Sequence, residues 1–351
     1  MLKCCHLHER YHGHDMGPVE IAKSDLRIDF AGNEKRVDRA APKYARTFLD
    51  WVKGTSKLIT NEAIRMAVQT GDPSPVTGIF DGLSYPKPKY PGYDFDGPEK
   101  VTKTSKEMED LELGVAESML QQNVTMAKPA GEAAWALLPK IGVEVTGRFN
   151  IMNPFVIPEA QERVGWLITE VRNGTQQGLR DVIAKISTDA YDMQLTQVQA
   201  SRQIRSAIGL RDDQMNALLK VEQRAIARGV SGAKLERLME RETTKRLNYR
   251  ATMIGRTELN RAASMGRHAA WKQAQADGFM QGRIPYVEWV AGLTDRTCPI
   301  CADLHGTRER LGDDFSTVGV EGFSDSQQVS GETPPIHPLC RCTTILVVEN
   351  I

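Results

Sequence analysis

No stretch of the 351-residue chain approaches the roughly 18 apolar residues that a membrane-spanning helix needs, which argues against a spanning segment. Net charge is missing as well. With 45 Lys and Arg against 45 Asp and Glu, the chain does not read as a protein that coats nucleic acid over its whole surface. It lacks a glycine-rich nucleotide loop, and its opening residues do not follow the pattern of a signal peptide. Cysteine is scarce, six in all, and four of the six gather near the C-terminal end.

Those four stand in two knuckles of the same form. Cys298-Pro299-Ile300-Cys301 and His337-Pro338-Leu339-Cys340 each set two soft ligands three residues apart with a proline after the first, and Cys342 follows at once. Paired knuckles of this kind grip zinc, a d¹⁰ ion that takes four tetrahedral thiolate or imidazole ligands without imposing a geometry of its own. The spacing within each knuckle lets two side chains converge, and the long loop between them adds only slowly to the closure entropy. The expected ligands are Cys298, Cys301, His337 and Cys340, with Cys342 in reserve. With His305 also near, a site can close, and a closed site is structural. Two other readings stay open. A redox CxxC is expected to open a helix within a βαβ unit, whereas proline and glycine crowd this region. A disulfide pairing requires an exported protein.

Balanced overall, the charge is uneven along the chain. Residues 201–272 hold sixteen Lys and Arg against seven Asp and Glu. Such a basic middle suits DNA, an acidic partner or a solvated helical face.

In chain order, residues 1–41 read as an N-terminal arm. Its first fourteen residues include Cys4, Cys5, His6, His8, His12 and His14, a tract that binds metals adventitiously or frays. Residues 42–70 carry Phe48, Leu49, Val52, Leu58, Ile59, Ile64 and Val68 near helical spacing. Residues 71–98 are rich in Pro, Gly and Tyr and read as a linker or extended arm. Residues 99–148 hold a helix to about Gln122 and a short one over Ala130 to Leu138. Residues 149–278 form an α-helical body, with Pro158 in a first turn, a break at Gly174, and Leu179, Val182, Ile183 and Ile186 at i, i+3, i+4 and i+7. Residues 279–351 form the metal-knuckle module. Tyr286, Val287 and Trp289 suggest a strand before the first knuckle, and Thr343 to Val348 one after the second. The fold class is mainly α: a helical body, a small C-terminal α+β zinc-knuckle module and extended arms.

The succession FNIMNP at 149–154, IGRTELNRAASMGRHAAW at 254–271, YVEWVAGLTDRTCPICADLHG at 286–306 and PPIHPLCRCTTI at 334–345 resembles the phage head morphogenesis family, the phage Mu F-like minor head proteins. The resemblance spans roughly residues 148–348. Its most specific parts are Arg256-Thr257-Glu258 with Asn260 and the HPxCRC ending. It implies a minor structural component of a tailed-phage head, associated with the portal or the major capsid protein, that acts in assembly and in packaging or delivery of DNA. The virion is then its place, after assembly in the host cytoplasm.

Arg256 and Glu258 read as a lock in which they bond backbone groups of the zinc module and hold the helix against it. Rival classes are an enzyme or toxin-like module, a transferase or nuclease, and a DNA-binding zinc module. Hydrolysis calls for a histidine and carboxylate cluster with an open metal position, and near the knuckles only Asp295, Asp303 and His305 offer themselves. Lys and Arg are scarce within the knuckle loop, which opposes the DNA-binding module.

Overall fold

Proline and glycine set the expected helix ends, and the structure shows where burial overrules them. The computed structural model describes residues 30–83, 86, 88–91, 106–193, 197–291, 297–317 and 330–351. Its helices are α1 (Phe30–Leu58), α2 (Asn61–Thr70), α3 (Ser74–Thr77), α4 (Lys106–Leu137), α5 (Ile157–Met193), α6 (Gln197–Ala207), α7 (Asp212–Ala227) and α8 (Gly232–Ala276). The C-terminal part adds strand β1 (Arg283–Val290), helix α9 (Pro299–Leu304), and strands β2 (Arg308–Arg310), β3 (Phe315–Ser316), β4 (Ser330–Gly331) and β5 (Thr343–Asn350). The fold is mainly α with a small C-terminal α+β part, as the sequence implies.

Three boundaries differ from expectation. Residues 30–41, read as arm, are helical, and α1 passes through Pro42. Helix α4 runs through Pro129 as one element, and α5 continues past Gly174. An interior proline costs about 3 kcal/mol and a glycine about 1 kcal/mol. Burial on both sides outweighs that cost: Ala41, Tyr44 and Phe48 flank Pro42, Ala127 and Ala130 flank Pro129, and Val171 and Leu179 flank Gly174, all in the core. Residues 71–83 of the expected linker hold α3 and a 3₁₀ turn, Gly78–Phe80. The rest of that linker from 92 to 98, and the Cys/His tract of the first fourteen residues, lie outside the described residues.

The described residues fall into two compact units that interleave along the chain. The body unit comprises Lys43–Leu120 and Gln161–Thr252. Its core is built on Tyr44, Phe48, Trp51, Ile59, Ile64, Met119 and Leu179. It also buries an ion pair, Arg172 Nη1 to Glu112 Oε2 at 2.8 Å, with both side chains under a tenth exposed.

The module unit comprises the described part of Met1–Pro42, Gln121–Ala160 and Met253–Ile351. Within it α4 and α8 touch backbone to backbone: a Cβ on Gly266 would lie 2.1 Å from the Ala127 carbonyl oxygen, and one on Gly131 2.8 Å from the Gly266 carbonyl. Only glycine permits that approach. Beside the helices lies a three-stranded antiparallel sheet of order β2-β1-β5. β1 and β5 pair along their whole length, from Arg283 opposite Asn350 to Val290 opposite Thr343. Val287 and Trp289 alternate into the core, and the Trp289 indole packs edge-on against Phe315 with centroids 5.1 Å apart. β1 and β5 are the strands expected on either side of the knuckles. Their pairing brings the two knuckles to the same end of the sheet.

Candidate metal centre

The first knuckle forms as its residue types dictate. Cys298 is the N-cap of α9, in extended conformation, and its Sγ accepts the Cys301 N–H at 3.4 Å. Pro299 takes the first helical position, where a missing N–H is not felt. In the second knuckle a turn closes from Cys340 N to His337 O at 3.2 Å, and Leu339 adopts φ 61°, a left-handed conformation that a branched side chain enters at a cost.

The two knuckles meet. His337 Nε2 lies 3.1 Å from Cys298 Sγ and 3.0 Å from Cys301 Sγ, and Cys301 Sγ lies 3.6 Å from Cys340 Sγ. Cys298, Cys301 and His337 form one group with ligand atoms within 4.8 Å of one another, and Cys301, Cys340 and Cys342 form a second that shares Cys301. Cys301, Cys340 and Cys342 are each under 5% exposed, and none of the four cysteines forms a disulfide. His305 joins neither group: its Nδ1 accepts the Ala291 N–H at 3.2 Å and ties a strand end instead. Asp303 is exposed, and Asp295 lies outside the described residues.

The electrostatics are those of donors crowded in a dry place. Burial works to lower the His337 pKa, yet the sulfurs of Cys298 and Cys340 push it up to about 11. Hydrogen bonds from Cys301 and Cys342 hold the Cys340 thiol well below its ordinary range. Contact with Cys298, Cys340 and Cys342 drives the Cys301 thiol up. Thiolates so close repel one another unless protons or a cation intervene. A divalent ion does this best, because ligands about 2.3 Å from a tetrahedral zinc stand about 3.8 Å apart. His337 is also well oriented: its Nδ1 donates to the Pro338 carbonyl at 2.9 Å, so a metal that displaced the Nε2 proton would find that nitrogen facing the sulfurs, as ligating histidines require. The cluster is able to bind a metal, and its donor set suits zinc.

Helix α8 holds the second knuckle through Asn260, one of the motif residues, together with Thr257 and Arg261. Thr257 Oγ1 accepts the Leu339 N–H at 3.0 Å while donating to Met253 O at 2.8 Å. Asn260 Nδ2 donates to the Cys340 carbonyl at 2.9 Å, and its Oδ1 accepts from Asn33 Nδ2 at 3.2 Å. Arg261 Nη2 donates to the Pro335 carbonyl. Arg256, expected to bond module backbone, instead pairs with Asp38 at 3.0 Å and Glu34 at 3.7 Å on α1. Glu258 is buried at 3% exposure. At 100° per residue, positions 256 and 258 flank the face that carries 257, 260 and 261.

The same face extends to a cluster that sequence reasoning missed. His268, 2% exposed, has Nε2 2.8 Å from Thr344 Oγ1 on β5 and Nδ1 3.4 Å from Glu332 Oε1. Lys272 Nζ also reaches Glu332, at 2.6 Å. Burial lowers the His268 pKa. Despite its own burial, Glu332 is held down to about 2 by His268 and Lys272. The imidazole thus bridges the two, with Nδ1 toward the carboxylate and Nε2 toward the threonine hydroxyl. The available signal was the run of polar residues at 257, 260, 261, 264, 268 and 272, one helix face.

Residues 216–345 match the model of the family described as Phage Mu protein F like protein. No curated protein and no solved structure matches the chain. The matched stretch contains α8, both knuckles and the first residues of β5.

Proposed function

From the membership of residues 216–345 in the phage Mu protein F like family, a family of phage head morphogenesis, we propose that this chain is a minor structural protein of a tailed-phage head. It resides in the virion, docks on the portal or the major capsid protein, and serves head assembly and the packaging or delivery of DNA. The observation that carries this reading is the coincidence of the family match with a knuckle module bonded to α8. A module of that kind is a rigid docking body, which an assembly protein needs more than a catalytic cleft. The engagement of Arg256 with Asp38 and Glu34, and the burial of Glu258, support a structural use of this run.

Zinc belongs to the same proposal. Cys298, Cys301, His337 and Cys340 would hold it, with Cys342 as the alternative fourth ligand. Bound zinc would supply the fixed charge that lets these thiols ionise together, and its binding energy would go into folding the module.

Cross-linking in purified heads tests the reading. Recovery of peptides from this chain joined to portal or coat peptides is expected. Heads that lack the chain, or cross-links to host proteins alone, would overturn it.

A further inference from the structure

In the body unit, the stretch from α7 into the first half of α8 presents charge of one sign. Lys220, Arg224 and Arg228 are exposed at i, i+4 and i+8, and Lys234, Arg237, Arg241 and Lys245 are exposed on α8. At 100° per residue the four α8 cations fall within about a third of the helix circumference. The face on the other side carries the buried Leu235, Met239 and Arg250. Two of the carboxylates that would cancel this charge are committed to a cation outside the row. Glu222, 3% exposed, and Glu236 both pair with Arg202. Against the row stand Glu240, at its edge, and Glu242, 4.0 Å from Arg241. The zero net charge of the chain therefore conceals a locally cationic face, on which the exposed cations of α7 and α8 stand against Glu240, Glu242 and, at the start of α7, the exposed Asp212 and Asp213.

We propose that the exposed row Lys234, Arg237, Arg241 and Lys245, with the neighbouring Tyr249 and the α7 cations, is a binding surface for the phosphate backbone of double-stranded DNA. Three features select this occupant. The cations step evenly, three or four residues at a time over about 17 Å of helix. A duplex with one charge per about 1.7 Å of axis meets such a row in any register. The row offers little apolar anchorage of the kind that protein partners bury at the centre of an interface. Tyr249, 57% exposed one turn beyond Lys245, adds a hydroxyl suited to a phosphate oxygen. The contact is to phosphates and sugars, so it is indifferent to sequence. This inference rests on the head-protein reading for the source of the duplex, which is the packaged genome.

The test is a salt titration of full-length protein binding to two 30-base-pair duplexes of unrelated sequence, followed by fluorescence anisotropy. Similar affinity for both is expected, with a steep fall as salt rises. The variant Lys234→Gln/Arg237→Gln/Arg241→Gln/Lys245→Gln should lose at least tenfold in affinity, and its log–log salt slope should be shallower by about three to four. A control of equal charge, Lys53→Gln/Lys57→Gln/Arg180→Gln/Lys185→Gln, changes exposed residues elsewhere in the body unit and should bind within about threefold of the parent. Circular dichroism of each variant reports folding. Equal losses in both variants, a strong preference for one sequence, or polyglutamate competing as well as duplex at equal charge would each overturn the proposal. Absence of duplex binding would overturn it too while leaving the head-protein reading intact, since that reading stands on cross-links within heads.

Discussion

Removing the Asn260 carboxamide should loosen the metal centre from a distance. Asn260 touches none of the five candidate donors by side chain; it bonds the backbone carbonyl of Cys340 at 2.9 Å, in a buried setting. Asn260→Ala leaves that carbonyl without its donor, which costs about 1–3 kcal/mol. Thr257→Val does the same to the Leu339 N–H, now held at 3.0 Å, at a similar cost. The two groups belong to adjacent residues of one turn, so their losses should not add: a double-mutant cycle is expected to show coupling of about 0.5 kcal/mol or more. The turn carries His337 and Cys340, and a shift there misaligns two ligands. Metal affinity should therefore fall about 10- to 100-fold, as it does when groups that orient ligands are removed. Thermal unfolding with and without added zinc, and competition against a chromophoric chelator, measure both effects. If Asn260→Ala lowers stability but leaves zinc affinity unchanged, the bond steadies the fold without aiming the knuckle, and this account of α8 fails.

Purified protein should contain about one equivalent of zinc; metal analysis giving less than half, or a Cys298→Ser protein as stable as the parent, would refute the centre. Gly266→Ala should cost about 3 kcal/mol or more, read as a drop in Tm, because the new Cβ meets the Ala127 carbonyl at 2.1 Å and backbone cannot yield cheaply. Leu339→Gly should be more stable than Leu339→Ala by about 1 kcal/mol in urea unfolding, since both lose the side chain and only glycine enters φ 61° freely. Burial, against the pull of Arg172, pushes the Glu112 carboxyl up to about 7. A raised folded pKa means stability that is full below the unfolded value near 4.5 and lost as pH rises toward 7. Urea midpoints at pH 5 and 8 should therefore fall less steeply in Glu112→Gln than in the parent, by up to about 3 kcal/mol.

Much of the module was legible because its chemistry is local. CPIC and HPLC announce their turns and donors within four residues each, and the β-branched run from Thr343 announces a strand. What pairs β1 with β5 is a register that no short window contains. Helix ends were the least legible feature: Pro42, Pro129 and Gly174 carry local penalties, and the burial that overrules them comes from residues distant in sequence. Within the motif around Asn260, the direction each side chain takes was not legible from sequence order alone. Arg256, Thr257 and Glu258 are neighbours in sequence, yet on a helix consecutive residues face different ways: Thr257 and Asn260 bond the knuckle while Arg256 reaches α1. His268 and Glu332 are 64 residues apart and meet only through the fold.

Helix α8 shows why such faces escape a hydrophobicity reading. An amphipathic helix is recognised by an apolar stripe against a polar remainder, and over 45 residues α8 offers no single stripe. Its first half buries Leu235 and Met239 and turns cations outward. Its second half packs alanines and Gly266 on one side and spends Thr257, Asn260, Arg261, His268 and Lys272 on bonds to the knuckle, to β5 and to Glu332. Read as one amphipathic element it cancels to nothing. Thr257, Asn260 and Arg261 satisfy backbone groups of the knuckle and His268 meets a buried hydroxyl, each a group that would otherwise cost about 1–3 kcal/mol, so much of the polarity there acts as packing. The first half has few such partners for its outward cations among the described residues. That contrast within one helix separates a face used for folding from a face left available for binding.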